Sequence, residues 1–223
     1  MARHEHLCFA DAAGLEPDQL DMHFMTAGAV PKALMDRAAP IFFGGSGAFS
    51  VLDEVPWIHR TLDQLLVVVQ AQRPAYASCF GFQGLARALG GVVENDESRK
   101  ELGATALRLT EAGRRDPLFA DLPDQFWAEQ GHHDHVTTLP DGVELLATGD
   151  VIEAQAFRVV GTPFWASQFH PELTPARTLD RFLHYRDQYV GADSADALET
   201  RLRTERRQTP EVGRLLARLV QGV

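Results

Sequence analysis

Cysteine is scarce in this sequence. Only Cys8 and Cys79 occur among the 223 residues, and their spacing matches no paired motif. Secreted domains that depend on disulfides carry more cysteines at regular spacings. The sequence therefore excludes a disulfide framework and favours a reducing compartment, so we expect a cytoplasmic protein.

Long hydrophobic runs and an excess of basic charge are missing as well. No stretch approaches the roughly 20 apolar residues that a membrane-spanning helix needs, and we expect no signal peptide. Asp and Glu number 31 against 21 Lys and Arg, which gives a net charge of −10. Because nucleic acids and anionic membrane surfaces attract basic proteins, we expect neither nucleic acid nor a membrane as a partner.

Apolar strands and amphipathic helices alternate in the first ninety residues. Such alternation predicts an α/β fold with a parallel sheet covered on both faces, and with functional residues at the carboxyl ends of the strands. From Gly91 onward short strands follow one another, which predicts an antiparallel flank. Strands are predicted at 20–25, 39–43, 75–78, 92–94, 104–109, 125–130, 144–148, 155–159 and 164–169, and helices at 57–71 and 80–89.

The stretch AYASCFGFQ, residues 75–83, predicts a strand that turns sharply into a helix, with Cys79 at the bend. A side chain at such an elbow projects from the top of the sheet, and the helix N-terminus below it favours a negatively charged thiolate. Cys79 is therefore a candidate nucleophile. The alternative is an inert core cysteine, since free cysteines are often buried as small hydrophobic residues.

A second stretch, FWASQFHPE at residues 164–172, predicts a strand that ends near His170, with Glu172 shortly after it. A thiol nucleophile needs an imidazole to accept its proton and return it to a leaving amine, and the imidazole needs an acceptor that fixes its tautomer. His170 is the candidate base, and Glu172 is the candidate acceptor. Pro171 stiffens the link between them because its φ is fixed.

A third stretch, IFFGGSG at residues 41–47, predicts a strand that runs into a glycine-rich loop. The backbone of such a loop can approach a ligand closely, and its amides can supply half of an oxyanion hole. The ordinary alternative is a tight turn, where glycine is frequent.

Together these stretches resemble the class I, or triad, glutamine amidotransferases, whose marks are a G-x-C-x-G-x-Q elbow and an F-H-P-E strand end. GHHDHV at residues 131–136 also resembles the S-H-x-D-x-V segment of that family, and the order of the segments fits over most of the chain. The sequence is similar to the stand-alone branch related to the amidotransferase domain of GMP synthase. The matching residues are Cys79, Gly81, Gln83, His170, Pro171 and Glu172.

The resemblance implies a flavodoxin-like α/β domain over residues 1–190, with a mostly parallel central sheet flanked by helices. Residues 191–223 are expected to form a C-terminal helical extension packed on this domain, because residues 212–220 have one apolar face. The length suits such a single domain with a sizeable core. Thr174 and Pro175 predict the start of the helix that follows the second stretch.

The resemblance also implies a reaction and its residues. Cys79, His170 and Glu172 would hydrolyse a γ-glutamyl amide through a γ-glutamyl thioester and release ammonia and glutamate. The backbone amides of Gly45 and Phe80 would form the oxyanion hole. The residues implied to contact the substrate are Gln83, at its side chain, and His133 and Asp134, whose backbone would meet its amino-acid end.

The implied partners are glutamine, or another γ-glutamyl small molecule, and a separate synthetase that accepts the ammonia. No phosphate-loop motif indicates a nucleotide-binding synthetase within the chain. No cofactor and no metal are implied.

The sequence departs from the family pattern in two places. Ala77 stands where the elbow usually has glycine, and its methyl group would crowd a tight turn. The family also begins with a hydrophobic strand, whereas residues 2–13 resemble its first helix. Because that strand normally lies inside the sheet, its absence would leave backbone groups unpaired, unless residues 7–10 replace it or the sheet rearranges.

Other functions are compatible with parts of this pattern. A stand-alone γ-glutamyl peptide hydrolase needs the same acyl chemistry, and a non-catalytic interaction module could keep the fold. A metal site is a third alternative, since imidazoles and a carboxylate are ligands for zinc or iron. Neighbours on a strand point to opposite faces, however, so a metal site would not gather all of these ligands. Its candidates are His132, His133, Asp134 and His135.

Overall fold

The computed structural model describes residues 1–186 and 192–223. Helices pack on both faces of a mixed sheet, so the α/β class and the antiparallel flank predicted from the sequence are confirmed. The predicted boundary between residues 190 and 191 lies outside the described residues.

Two of the helices begin with proline at the first position, which suits a turn whose first N–H groups have no partner in the helix. One of them follows Thr174, whose side chain caps the helix by accepting a hydrogen bond from the Arg177 amide. In the described ranges the α-helices are α1 (Ala2–Ala13), α2 (Lys32–Met35), α3 (Pro56–Gln70), α4 (Phe80–Ala88), α5 (Pro175–His184), α6 (Ala192–Thr204) and α7 (Leu215–Gln221).

The strands are β1 (Ile41–Phe43), β2 (Ala75–Ser78), β3 (Val92–Asn95), β4 (Glu101–Leu109), β5 (Gln125–His132), β6 (Asp134–Thr138), β7 (Val143–Gly149), β8 (Ala156–Val159) and β9 (Phe164–Ser167). Within the described residues, seven of them form one sheet in the order β1-β2-β9-β8-β7-β4-β5. The first three of these run parallel and the others pair antiparallel. A separate antiparallel pair joins β3 and β6.

Alternating side chains of the central strands divide the core into two clusters. On β2, Tyr76 packs with residues of α1 and α7, whereas Ala77 packs with residues of α3 and α4. On β9, Trp165 belongs to the same cluster as Tyr76, and Phe164 belongs to the same cluster as Ala77. Because successive strand residues point to opposite faces, both strands are buried on both sides. The ends of β2 and β9 are therefore held rigidly.

The prediction of a strand at residues 20–25 is wrong. The segment ends in a short 3-10 turn at Met25–Ala27, and the side chains of Met22 and Phe24 are about half exposed. Its alternating apolar residues are typical of a strand, but a strand also needs a neighbour. In the part of the chain that the structure describes, no strand pairs with the outer edge of β1.

Residues 7–10 do not replace the family's first strand, because they lie inside α1. The helix packs beside β1 instead, and the rings of Phe9 and Phe42 stack with centroids 5.7 Å apart. The sheet therefore begins at β1, and α1 covers one face of that strand.

The last helix packs against the core cluster that contains Tyr76 and Trp165. Leu215, Leu216 and Leu219 of α7 are buried there. Leu202 of α6 shares a smaller apolar cluster with Phe182 of α5. None of the helices in the described ranges is both long enough and apolar enough to cross a bilayer.

Candidate active site

Cys79 lies at the bend between β2 and α4, in a backbone conformation that is rare for a residue with a side chain. Its φ is 50° and its ψ is −104°, which lies outside the regions that L-residues normally populate. Cys79 N donates to Ser167 O at 2.8 Å, and Cys79 O accepts from Gln83 N at 3.0 Å. Such strain persists only where the surroundings enforce it, and it is frequent at functional sites.

Gly81 explains how the elbow tolerates Ala77. A Cβ at position 81 would lie 2.9 Å from Phe43 O and 3.1 Å from the Ala77 Cβ. Both distances are shorter than the usual separation of non-bonded heavy atoms. The missing side chain at position 81 therefore leaves room for the methyl group at position 77. The crowding expected from Ala77 is relieved across the turn.

His170 and Glu172 follow β9, which is the neighbour of β2. The register pairs Ser78 with Ser167, so the residues after the two parallel strands emerge at the same edge of the sheet. His170 Nδ1 lies 2.7 Å from Glu172 Oε1, and both side chains are buried. Because a carboxylate only accepts hydrogen bonds, Nδ1 is the donor and Nε2 is left for proton exchange with another group.

The imidazole, the cysteine and the glycine loop converge on one point. A Cβ built on Gly45 would lie 3.0 Å from His170 Cε1 and 3.7 Å from Cys79 Cβ. The Cys79 sulfur is close enough to His170 to favour the charged imidazolium and to raise its pKa. A thiol at a strained elbow therefore faces an imidazole that is oriented by a carboxylate.

The charges around His170 favour its protonated form. Burial alone would lower its pKa, but the Glu172 carboxylate and the Cys79 sulfur raise the pKa of His170 to about 9. Such an imidazolium can stabilise a neighbouring thiolate.

Arg181 is a further charged group at this site, which the sequence did not predict. Its Nη1 lies 3.3 Å from His170 Nδ1 and 4.0 Å from Glu172 Oε1. Burial opposes ionisation of Glu172, but His170 and Arg181 outweigh it, so the pKa of this carboxyl is lowered. Ser78 Oγ also donates to Glu172 Oε1, at 3.4 Å. Glu172 is therefore held as an anion.

The glycine loop has an unexpected neighbour in Glu5 of α1. A Cβ at Gly44 would lie 2.5 Å from Glu5 Oε1, so the Glu5 carboxylate lies against the backbone of the loop. Arg181 Nη2 lies 3.4 Å from the same Oε1. Burial raises the pKa of Glu5, and Arg181 opposes this only in part.

Gln83 lies one turn into α4 and is buried. Its Nε2 donates to Asp134 O at 2.7 Å and to Gln168 Oε1 at 3.2 Å. The side chain therefore links the elbow helix to the segment between β5 and β6.

Asp134 holds the glycine loop in place through its side chain. Its Oδ2 accepts from Ser50 Oγ at 2.5 Å, and its Oδ1 accepts from Asn95 Nδ2 at 2.7 Å. Cys79 Sγ lies 3.9 Å from the neighbouring Gly131 carbonyl oxygen. The backbone of this segment thus lies beside the sulfur, whereas the carboxylate points toward the loop.

The histidines near Asp134 have different surroundings. His132 Nε2 lies 3.2 Å from the buried Glu101 Oε2, and His133 Nδ1 lies 2.5 Å from Glu97 Oε1 near the surface. His135 is buried on the other strand of the turn. Across the described ranges, no three His, Cys, Asp or Glu side chains converge closely enough to hold a metal ion.

Sequence reasoning missed both Glu5 and Arg181 because their signals are weak. Arg181 lies on the helix predicted after Thr174, where a lone arginine is usually a solvated residue. Glu5 lies in a segment whose polar residues show no strong pattern. Only the fold brings these two residues together, across a sequence separation of 176.

Residues 14–185 match the family model described as Glutamine amidotransferase class-I. The chain is 35% identical over 140 residues to the GMP synthase (glutamine-hydrolyzing) of Mycobacterium tuberculosis, an alignment that spans 59% of this chain and 26% of the relative. It is 31% identical over 123 residues to one subunit of the GMP synthase (glutamine-hydrolyzing) of Methanocaldococcus jannaschii, with 55% of this chain and 63% of the relative covered. The chain thus spans about a quarter of the first of these relatives.

Two solved structures share the fold. A glutamine amido transferase from Methylobacillus flagellatus superposes with a TM-score of 0.71 at 18% identity, over 96% of this chain and 89% of that one. A glutamine amidotransferase from Thermotoga maritima gives a TM-score of 0.66 at 21% identity, over 88% and 84% of the two chains. At such identities the similarity establishes the fold alone.

Proposed function

Because this chain belongs to the class-I glutamine amidotransferase family, we propose that it hydrolyses the side-chain amide of glutamine. In this proposal Cys79 is the nucleophile, His170 the acid and base, and Glu172 the residue that orients His170. The observation that carries the proposal is the buried hydrogen bond between His170 and Glu172, with Nδ1 at 2.7 Å from Oε1. The position of His170 beside Cys79 supports it, because His170 Cε1 and Cys79 Cβ would lie 3.0 Å and 3.7 Å from one Cβ built on Gly45.

The first half of the reaction forms the thioester. The Cys79 thiolate attacks the carboxamide carbon of glutamine, and a tetrahedral oxyanion develops. His170 then protonates the nitrogen, the C–N bond breaks, and ammonia leaves. The raised pKa of His170 supports this step, because the imidazolium stabilises the thiolate before attack and holds the proton that ammonia needs.

The second half consumes one water molecule. Neutral His170 takes a proton from water, the resulting hydroxide attacks the thioester, and the C–S bond breaks to release glutamate. The proton stays on His170 and the sulfur leaves as thiolate, which restores the starting pair. Glu172 stabilises the imidazolium in both halves.

We assign the oxyanion to the backbone N–H groups of Gly45 and Phe80. Phe80 begins α4, where N–H groups have no partner within the helix, and Gly45 lies against both Cys79 and His170. One such donor typically contributes about 3 kcal/mol to transition-state stabilisation.

Recognition of the rest of the substrate is proposed for Gln83 and for the backbone of His133 and Asp134. The hydrogen bond from Gln83 Nε2 to Asp134 O supports this, because it couples the elbow helix to the segment beside the sulfur. The proposal uses backbone groups at Asp134, since its side-chain oxygens already accept from Ser50 and Asn95.

The fate of the ammonia is a separate proposal. The relative from Methanocaldococcus jannaschii is named as one subunit of a GMP synthase, which points to a second subunit in that protein. By analogy, we propose that a separate synthetase accepts ammonia from this chain. A cytoplasmic location stays a prediction from the sequence.

A panel of amides tests the proposed substrate. Wild type and Cys79→Ala are incubated with glutamine, asparagine and several γ-glutamyl peptides, and released glutamate, aspartate and ammonia are measured. The proposal expects glutamate and ammonia in equal amounts from glutamine, with wild type only. Turnover of γ-glutamyl peptides without glutamine would indicate the hydrolase alternative, and equal activity of the two proteins would remove Cys79 from the mechanism.

A further inference from the structure

Glu172 depends on more than its hydrogen bonds to remain an anion. Its side chain is fully buried, and its Oε2 accepts no hydrogen bond from any described residue. Oε1 accepts from His170 Nδ1 at 2.7 Å and from Ser78 Oγ at 3.4 Å. A buried carboxylate with one unpartnered oxygen is costly unless positive charge lies nearby. The charges around Glu172 therefore decide how well it orients His170.

The proposed reaction changes the charge beside Glu172. When His170 is protonated, the imidazolium compensates the carboxylate. When His170 has given its proton to ammonia, the imidazole is neutral, and the sulfur of Cys79 carries no charge in the thioester. In that state the buried carboxylate needs a positive charge from another residue.

Arg181 supplies a permanent positive charge at this place. Its Nη1 lies 4.0 Å from Glu172 Oε1 and 3.3 Å from His170 Nδ1, and its side chain is only 12% exposed. Because Nδ1 donates to Glu172 and a guanidinium can only donate, the contact between Nη1 and Nδ1 is not a hydrogen bond in this tautomer. It places a cation against the imidazole, which favours neutral His170 and anionic Glu172.

Helix α1 and the glycine loop hold the guanidinium in this orientation. Arg181 Nη2 lies 3.4 Å from Glu5 Oε1, so Nη1 is the end that faces His170 and Glu172. A Cβ at Gly45 would lie 3.5 Å from Nη1, so the loop packs against the guanidinium. Arg181 is thereby fixed between one carboxylate on α1 and another after β9.

We propose that Arg181 is a positioning residue of the reaction, whose guanidinium compensates the Glu172 carboxylate while His170 is neutral. The inference rests on the proposed function. With the thiolate and the imidazolium present, the charges of Cys79, His170, Glu172 and Arg181 sum to zero. With the thioester and the neutral imidazole, the charges of Glu172 and Arg181 again sum to zero. Without Arg181 the second state would hold a lone buried anion.

Other titratable groups face His170, Glu172 or Arg181 from the surrounding elements. They are Cys79 at the elbow, Tyr76 on β2, Glu129 on β5, and Glu5 and Cys8 on α1. Burial raises the pKa of the last four, which makes each of them less readily ionised. Arginine, in contrast, keeps its charge over the whole working pH range. Substitution of Arg181 therefore removes a fixed charge.

Removal of this charge should raise the pKa of His170, because a repulsive cation beside the imidazolium is lost. A neighbouring charge at this range shifts a pKa by about 1 to 3 units, so Arg181→Met should raise the pKa of His170 by about one unit or more. The basic limb of kcat/KM for glutamine should move to higher pH with it, since kcat/KM reports the free enzyme. Arg181→Lys keeps the charge and should move the limb by less than about half a unit.

The same change should slow the release of ammonia. A less acidic imidazolium protonates the leaving nitrogen more slowly, so Arg181→Met should lower kcat/KM near neutral pH by about threefold to tenfold. Arg181→Lys should restore most of this loss. A residue that merely supports the packing would lower activity without an upward shift of the basic limb.

Arg177 provides a matched control on the same helix. It lies one turn before Arg181 and pairs with Asp11 of α1, but this ion pair does not involve His170 or Glu172. Arg177→Met therefore removes an arginine and an ion pair between the same two helices. Its basic limb should stay within about 0.3 units of that of wild type.

Two measurements are made on wild type, Arg181→Met, Arg181→Gln, Arg181→Lys and Arg177→Met. The first follows the His170 imidazole by NMR during a pH titration, assigned by comparison with His170→Gln, and it requires no turnover. The second measures kcat/KM for glutamine against pH. Arg181→Gln removes the charge but keeps a polar side chain, and it serves if the methionine variant folds poorly.

The outcomes separate the two proposals. An unchanged or lowered pKa of His170 in the neutral variants of Arg181 overturns the role of Arg181, and it leaves the proposed function intact when wild type hydrolyses glutamine. An equal upward shift in Arg177→Met or in Arg181→Lys also overturns it. If folded wild type hydrolyses no glutamine, with or without a candidate synthetase, the proposed function fails. The role of Arg181 in the reaction then fails with it, even where the NMR titration shifts.

Discussion

His170 and Glu172 form a buried hydrogen bond of 2.7 Å across a single intervening proline. The acceptor and the imidazole are thus supplied by one short segment, and their geometry depends little on the rest of the fold. What the fold adds is the position of this segment beside Cys79, because β2 and β9 are neighbours in the sheet.

Replacement of Glu172 by glutamine should reduce kcat for glutamine hydrolysis by about 10²- to 10⁴-fold, because an amide neither stabilises the imidazolium nor fixes its tautomer. Steady-state kinetics measure the change. Glu144→Gln is the control, since Glu144 pairs with Arg158 at the surface. Retention of wild-type kcat by Glu172→Gln would show that this carboxylate has no part in the reaction.

The same pair predicts how stability depends on pH. The pKa of His170 is raised from 6.5 to about 9 in the folded protein. Its contribution to the free energy of unfolding is therefore fully present below pH 6.5 and is lost as the pH rises through 9. The pKa of Glu172 is lowered in the folded protein. The contribution of Glu172 to the free energy of unfolding is therefore present above the ordinary pKa of a glutamate and is lost on acidification.

Urea unfolding of wild type and His170→Gln at several pH values tests this dependence. The difference between their unfolding free energies should shrink from pH 6.5 to pH 9 as the raised pKa of His170 is passed. A difference that stays constant over this range would mean that the folded protein does not hold the proton on His170.

Gly81→Ala should destabilise the protein by about 1 to 3 kcal/mol, because the added methyl group overpacks the turn. The new Cβ would lie 2.9 Å from Phe43 O. Gly213→Ala is the control, since its nearest atom would lie 3.9 Å away. Urea midpoints compare the two variants, and equal midpoints would show that the elbow has more space than the structure indicates.

Asp134 and Ser50 should be energetically coupled, because their hydrogen bond ties the glycine loop to β6. We expect a coupling free energy of about 1 kcal/mol in a double-mutant cycle with Asp134→Ala and Ser50→Ala. Thermal unfolding of the four proteins gives the value. Strict additivity would mean that the loop is held by other contacts.

The residues of the proposed triad were predictable from the sequence because each lies in a short stretch with a strong local pattern. Cys79 has the strand-to-helix elbow, and His170 and Glu172 share one strand end. Parallel strands place such ends at one edge of the sheet. Local patterns and this single rule were sufficient to group them.

The rest depended on contacts between distant parts of the chain. Glu5 and Arg181 meet only after α1 and α5 have packed beside the glycine loop. The strand predicted at residues 20–25 failed for a similar reason, since its apolar alternation is real but no strand lies beside it in the described residues. Local sequence does not report whether a neighbour is present.

The most direct test of the account is the alkylation of Cys79 by a glutamine-like electrophile, followed by intact mass and peptide mapping. Cys8 serves as an internal reference, because burial raises its pKa to about 12. The account predicts one adduct per chain, on Cys79, formed at least about tenfold more slowly in His170→Ala. Labelling of Cys8 instead, or an equal rate in the two proteins, would contradict it.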